Sequence, residues 1–111
     1  MRVTVEYLRD HLGASEGRHF KDTLFRSGRL LVGVNCLEPG QSQEVHVHEG
    51  QDKAYIVEEG IGLFTVASER HEVGRGGVVW APAGVPHGVT NAGVERLVLL
   101  VAIAPAPASK P

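Results

Sequence analysis

Val45-His46-Val47-His48 sets two histidines two residues apart, each preceded by a valine. Side chains of a β-strand alternate between faces, so residues i and i+2 point the same way. Read as a strand, this stretch aims His46 and His48 into one space and turns both valines away from it. Two neutral imidazoles side by side are two ready metal ligands. The rest of the chain has to supply the strand's neighbours, an enclosure and the missing ligands.

Working outward, short apolar runs alternate with turn signals. Phe20 to Arg26 reads as a strand, and Ser27-Gly28 as a turn. Arg29 to Leu37 follows, with Leu30, Val32, Val34 and Cys36 on one face and Leu31, Gly33, Asn35 and Leu37 on the other. Both faces are largely apolar, so this strand is expected to be covered on both sides. Glu38-Pro39-Gly40 ends it. After the histidine pair, Lys53 to Glu58 is a strand with Lys53, Tyr55 and Val57 on one face. Ile61 to Ala67, His71 to Val73, Val78 to Ala81 and Glu95 to Ala104 complete the set, separated by Gly-rich turns. Val3, Val5 and Tyr7 alternate with Arg2, Thr4 and Glu6, which predicts an N-terminal strand; Leu8 to Leu12 has room for a helical turn. Short strands with turns every eight to twelve residues predict an all-β sandwich or barrel.

Composition narrows the function classes. The chain has 111 residues, enough for one domain with a modest core. Its formal net charge is −2 with no basic run, which argues against nucleic acid and against an acidic membrane surface as partners. The single cysteine, Cys36, excludes an intrachain disulfide and fits a cytoplasmic setting. The charged start, Met1-Arg2-Val3-Thr4-Val5-Glu6, lacks the apolar run of a signal peptide.

His87 follows Pro82-Ala83-Gly84-Val85-Pro86, a rigid turn that fixes its direction, and it is the candidate third ligand. Three protein ligands with open positions are the usual arrangement of a catalytic metal. Gly40, five residues, His46-Val47-His48, then Asp52/Lys53 and Gly60 resemble the first motif of the cupins. Gly76, five residues, Pro82-Ala83-Gly84, two residues, His87, three residues and Asn91 match the second cupin motif at every position. The resemblance spans roughly Leu30 to Ala104. It implies a single-domain jelly-roll β-barrel, often a homodimer, with His46, His48 and His87 as ligands of a divalent metal such as Zn, Mn, Fe, Ni or Cu. Cupin activities run from dioxygenases, isomerases and decarboxylases to non-enzymatic binding proteins, so the fold does not name the reaction. The expected organisation is 1–29 as an N-terminal segment contributing to the barrel or a dimer interface, 30–104 as the barrel, and 105–111 as a flexible tail.

One position departs from the family pattern. Cupins usually place a metal-binding glutamate seven residues before the closing glycine; counting back from Gly60 gives Lys53. Strand parity turns Lys53 inward with Tyr55 and Val57, and Asp52 outward. A bulge in Gly50-Gln51-Asp52 would instead turn Asp52 inward as a fourth ligand, with Gln51 a weaker candidate. Lys53 is the candidate catalytic or ligand-binding group, because an inward ammonium can pair with an anionic substrate. His11, His19 and His71 lie in polar or turn-rich segments and are expected on the surface. Tyr55 and Trp80 are expected in the core or the pocket wall, Asn91 in a turn, and Cys36 as a buried inert thiol. Two functions remain: a metal-dependent enzyme on a small organic molecule, and a non-catalytic binding or accessory protein with the same barrel.

Overall fold

The computed structural model describes residues 4–108. Nine strands lie among them: β1 (Phe20–Arg26), β2 (Leu31–Leu37), β3 (Ser42–His46), β4 (Asp52–Glu59), β5 (Gly62–Val66), β6 (Glu69–Val73), β7 (Val78–Ala81), β8 (His87–Thr90) and β9 (Leu97–Ala104). They form two antiparallel sheets. The larger has the order β1-β2-β9-β4-β7, and the smaller β3-β8-β5-β6. Neighbours in each sheet are mostly distant in sequence, the wrapping expected of a jelly-roll barrel.

The space between the sheets is filled by the inward faces of both. Tyr55, Val57, Phe64, Leu97 and Leu99 are essentially inaccessible there. Burying each such side chain contributes about 1.5–3 kcal/mol. On β4 the alternation is plain: Lys53, Tyr55 and Val57 are buried, while the residues between them are partly exposed. A second apolar layer covers the outer face of the larger sheet, where Val34, Cys36 and Val98 pack beneath Leu8, Leu12, Phe20 and Leu24. β2 is therefore covered on both sides, as its two apolar faces require, and the Cys36 thiol is buried. Burial pushes its pKa up, so it stays a neutral thiol.

Gly60 shows why one turn needs glycine. Its φ is +84°, and an added Cβ would stand 2.4 Å from the Arg96 carbonyl oxygen. The β4–β5 turn packs that closely on the segment entering β9, and only glycine permits both the conformation and the approach.

Two sequence expectations are corrected. Thr4 to Tyr7 form no strand, and a 3-10 helix spans Leu8–His11; Val3 lies outside the described residues. A period of two makes a strand only where a partner strand exists, and this segment instead lays Leu8 on the outer apolar layer. Trp80 is 57% exposed. On β7 it is Val79 and Ala81 that point inward, and Trp80 shares the outward face with Val78. No helix among the described residues is long and apolar enough to cross a membrane.

Candidate metal centre

His46, His48 and His87 meet. One ring nitrogen from each lies within 4.8 Å of the others. The rings of His46 and His87 are 4.5 Å apart between centroids, and those of His48 and His87 5.4 Å. The valines beside the first two face outward, with Val45 57% and Val47 44% exposed. β3 ends at His46, so His48 sits just past the strand.

A bulge in β3 sets the direction of His46. Ser42 pairs with Thr90 and Gln43 with Val89, but then the register shifts and His46 pairs with His87. Glu44 and Val45 together stand opposite Gly88. One extra residue reverses strand parity. Gln43 therefore points inward, where its Oε1 accepts from the Tyr55 hydroxyl at 2.8 Å, and so does His46, three residues on. Gly88 makes room: an added Cβ would stand 2.8 Å from the Gln43 carbonyl oxygen and 2.9 Å from the Val45 nitrogen.

The histidine tautomers follow from their partners. His46 Nδ1 lies 2.7 Å from the Glu44 carbonyl oxygen, and His87 Nδ1 lies 3.0 Å from that of Val85. A carbonyl only accepts, so each Nδ1 carries the proton and each Nε2 presents its lone pair to the cluster. His46 Nε2 is 2.8 Å from His48 Nε2, a contact in which His48 supplies the proton. His87 Nε2 is buried and has no partner among the described residues. Burial, then the neighbouring charges of His46, Lys53 and His87, holds the pKa of His48 down to about 4. Burial likewise lowers that of His87. All these forces favour neutral imidazoles, the form that binds a metal.

This donor set fits a divalent ion. Ligating histidines typically donate their second ring nitrogen to a carbonyl or carboxylate, which fixes ring orientation; His46 and His87 already do so. The buried lone pair of His87 has no partner among the described residues to lose. His48 has to release its Nε2 proton or move it to Nδ1, with the Gln51 side chain near this ring.

Asp52 is not brought to the cluster. It is exposed, and its Oδ1 accepts from the backbone N–H of Ala83 at 2.9 Å. The bulge lies in β3 rather than in Gly50-Gln51-Asp52, so Asp52 keeps its outward parity and holds the turn before β8. Lys53 points inward and is only 4% exposed. Its Nζ lies 4.7 Å from the centroid of the Tyr55 ring. It makes no ion pair among the described residues. Burial, with a smaller push from Lys21, lowers its pKa to about 8, so it remains mostly charged at neutral pH.

Two contributors escaped the sequence reading. Gln43 carries no signal beyond its place before the bulge. His19 is half-buried rather than on the surface, and its Nε2 is buried without a partner among the described residues. Burial lowers its pKa, and the charges of Lys21, Lys53, Arg18 and His46 lower it further, which puts it in the neighbourhood of the site. His19 and His46 both line an open groove of about 860 Å³ between the segment before β1 and strand β3. His71 is exposed beside Glu69, as expected, and His11 lies between Glu6 and Asp22, away from the site.

Comparison with known proteins agrees with this fold. The profile of the cupin domain matches residues 33–103. An uncharacterised protein of Streptomyces coelicolor is 33% identical over 88 residues, 79% of this chain and 81% of that one. An oxalate-binding protein of Thermotoga maritima is 30% identical over 93 residues, 84% of this chain and 71% of that one. The crystal structure of the Thermus thermophilus protein TT1209 superposes with a TM-score of 0.90 at 38% identity, covering 95% of this chain and all of that one. The barrel, both histidine motifs and the profile match over most of its length agree, and the chain belongs to the cupin superfamily.

Proposed function

We propose that the protein binds a divalent metal ion through His46, His48 and His87 and holds a small organic molecule at that ion. The observation carrying this reading is the cluster itself. Three ring nitrogens lie within 4.8 Å of one another, and that of His87 is buried with no partner among the described residues. Such an ion, when bound, supplies a Lewis acid or redox centre with positions open to ligand oxygen atoms. The protein's own residues do the rest. The carbonyls of Glu44 and Val85 keep the His46 and His87 lone pairs turned inward. Tyr55 and Phe64, packed 5.3 Å apart between ring centroids, close the interior side against water. Lys53 orients the bound molecule and, in a reaction, donates or accepts a proton from Nζ. Metal analysis of protein purified without added metal tests the reading. Near-stoichiometric metal, lost in His48→Ala, is expected; substoichiometric metal that ignores the substitution overturns it.

A second reading keeps the same site without turnover, as a small-ligand sensor or accessory protein. It is favoured by the donor set, which contains no carboxylate and so lacks a conventional acid–base partner beside the histidines. Thermal stabilisation by ligand without product supports this reading, and metal-dependent product formation rejects it.

The proposal includes a homodimer. Val78 and Trp80 are 66% and 57% exposed on the outward face of β7, an edge strand. An exposed apolar edge is a surface that a second copy can cover. Sedimentation should give a dimer for the parent chain and a monomer for Trp80→Lys; equal masses overturn this part.

A further inference from the structure

Lys53 is an uncommon residue for its place. It sits on the inward face of β4, in register with Ala81 of β7 and Ile103 of β9. It is 4% exposed and has no carboxylate partner among the described residues. A buried ammonium without a counter-charge is costly unless something supplies one. The histidine cluster does not, since it contains no carboxylate. A bound dication would raise the local positive charge further. Arg18, which lines the groove, and Lys21 on β1 add to it, against one carboxylate in the groove lining, that of Glu44. The site as a whole therefore calls for a negatively charged occupant.

We infer that Lys53 forms an anion subsite beside the histidine cluster, and that the ligand is a small carboxylate with one charged oxygen facing the Lys53 ammonium. The inference rests on the three-histidine reading and adds the chemical class of the ligand. The cluster offers no carboxylate and Lys53 adds a positive charge without an ion-pair partner among the described residues, so the compensating negative charge comes with the ligand. A compact dicarboxylate meets both demands, with one end for the ion's open positions and another oxygen for Lys53. Inorganic phosphate offers similar oxygens in a tetrahedral arrangement, so the experiment separates the two.

The test is calorimetric titration of the full chain, with and without Mn²⁺, using oxalate, acetate and inorganic phosphate, on the parent protein, Lys53→Gln and Lys53→Met. Lys53→Gln is expected to bind Mn²⁺ as tightly as the parent or more so, because a repelling charge is gone. Its oxalate affinity should fall about 10- to 100-fold, as for loss of a charge-assisted hydrogen bond. Oxalate affinity unchanged within about threefold overturns the inference, as does phosphate binding more tightly than oxalate. Should the parent bind no Mn²⁺, Mn²⁺ is excluded as the ion, and Lys53-dependent oxalate binding by the metal-free chain still supports the anion subsite. Failure of oxalate to bind either form overturns it. Lys53→Met keeps the length and apolar stem, so a folding defect peculiar to Gln does not blur the result.

Discussion

His46 lies opposite His87 in the β3–β8 ladder, one residue out of the register set by Ser42 with Thr90 and Gln43 with Val89. The bulge is the cause of the alignment. Without it, Val45 would face His87 and the imidazole of His46 would point away from the barrel. The bulge in turn depends on Gly88, whose missing side chain lets the Gln43 carbonyl and the Val45 nitrogen come within 3 Å of where its Cβ would be. A residue with no side chain thus aims a histidine of the cluster on the neighbouring strand.

Gly88→Ala is therefore predicted to damage the site without touching a ligand. The added methyl meets backbone on the bulged strand, which cannot swing aside as a side-chain tip can. Loss of about 1–3 kcal/mol of stability is expected from overpacking. Metal affinity should drop about 10- to 100-fold, the usual effect of disturbing the groups that orient ligands. Competition against a chelator measures the second. A variant that loses stability but binds metal like the parent would separate the bulge from the site.

Asn91 carries a structural prediction. It is fully buried; its Nδ2 donates to the carbonyls of Leu37 and Glu95, and its Oδ1 accepts from Gly93. Its backbone also pairs with Gly40 and Gln41. One side chain thus ties the end of β2 to the turn before β9. Asn91→Ala leaves two carbonyls without these donors, for an expected loss of about 2–3 kcal/mol. Urea denaturation measures it, and a change under about 1 kcal/mol would mean that water takes over these bonds.

His11 makes the N-terminal segment pH-sensitive. Its Nε2 lies 2.7 Å from Glu6 and its Nδ1 2.9 Å from Asp22 on β1. Only the doubly protonated ring donates to both carboxylates. Hydrogen bonds to Glu6, then Asp22, raise its pKa above the usual 6.5. The contribution is thus fully present below that value and fades as pH rises through the folded pKa. Amide exchange across Leu8 to Leu12, corrected for intrinsic rates, should show more protection at pH 6 than at pH 8. His11→Ala should abolish the difference; a parent chain with equal protection at both pH values would count against the ion pairs.

Much of this was legible in the sequence, for reasons that differ by residue. Two motifs with fixed spacing carried the barrel and the meeting of His46, His48 and His87. Lys53 could be turned inward by parity alone, because β4 runs without a bulge from Asp52 to Val57. The β3 bulge was not legible: Gln43-Glu44-Val45 contains no glycine or proline, and the residue that permits the bulge lies on β8. Trp80 was misplaced because aromatic character was weighed above parity, although Val79 and Ala81 already claimed the inward face. Val5 and Tyr7 had the right period but no neighbouring strand among the described residues, which a local pattern cannot supply. His19 was given to the surface because its sequence neighbours are polar, whereas its burial comes from packing beside β3.

Lys53 offers the last prediction, in which stability and function pull apart. Burial lowers its folded-state pKa to about 8, against about 10.5 in the unfolded chain. Below about pH 8 both states carry the proton and the folded state bears the full desolvation penalty. Between about 8 and 10.5 the folded state has released the proton while the unfolded state keeps it, so stability rises with pH across that window. The ceiling is on the order of 3 kcal/mol. Lys53→Met should therefore be more stable than the parent at pH 7 by about 1–3 kcal/mol, with the gap closing toward pH 10. Denaturation midpoints at the two pH values measure it, and a gap that stays constant with pH would place the effect in packing instead of charge. Saturating oxalate should narrow the gap at pH 7 by stabilising the chain that keeps the ammonium more than the variant, since a ligand stabilises a folded chain according to its affinity for it. A residue that weakens the empty barrel and strengthens the occupied one belongs to recognition, because packing alone would favour its replacement.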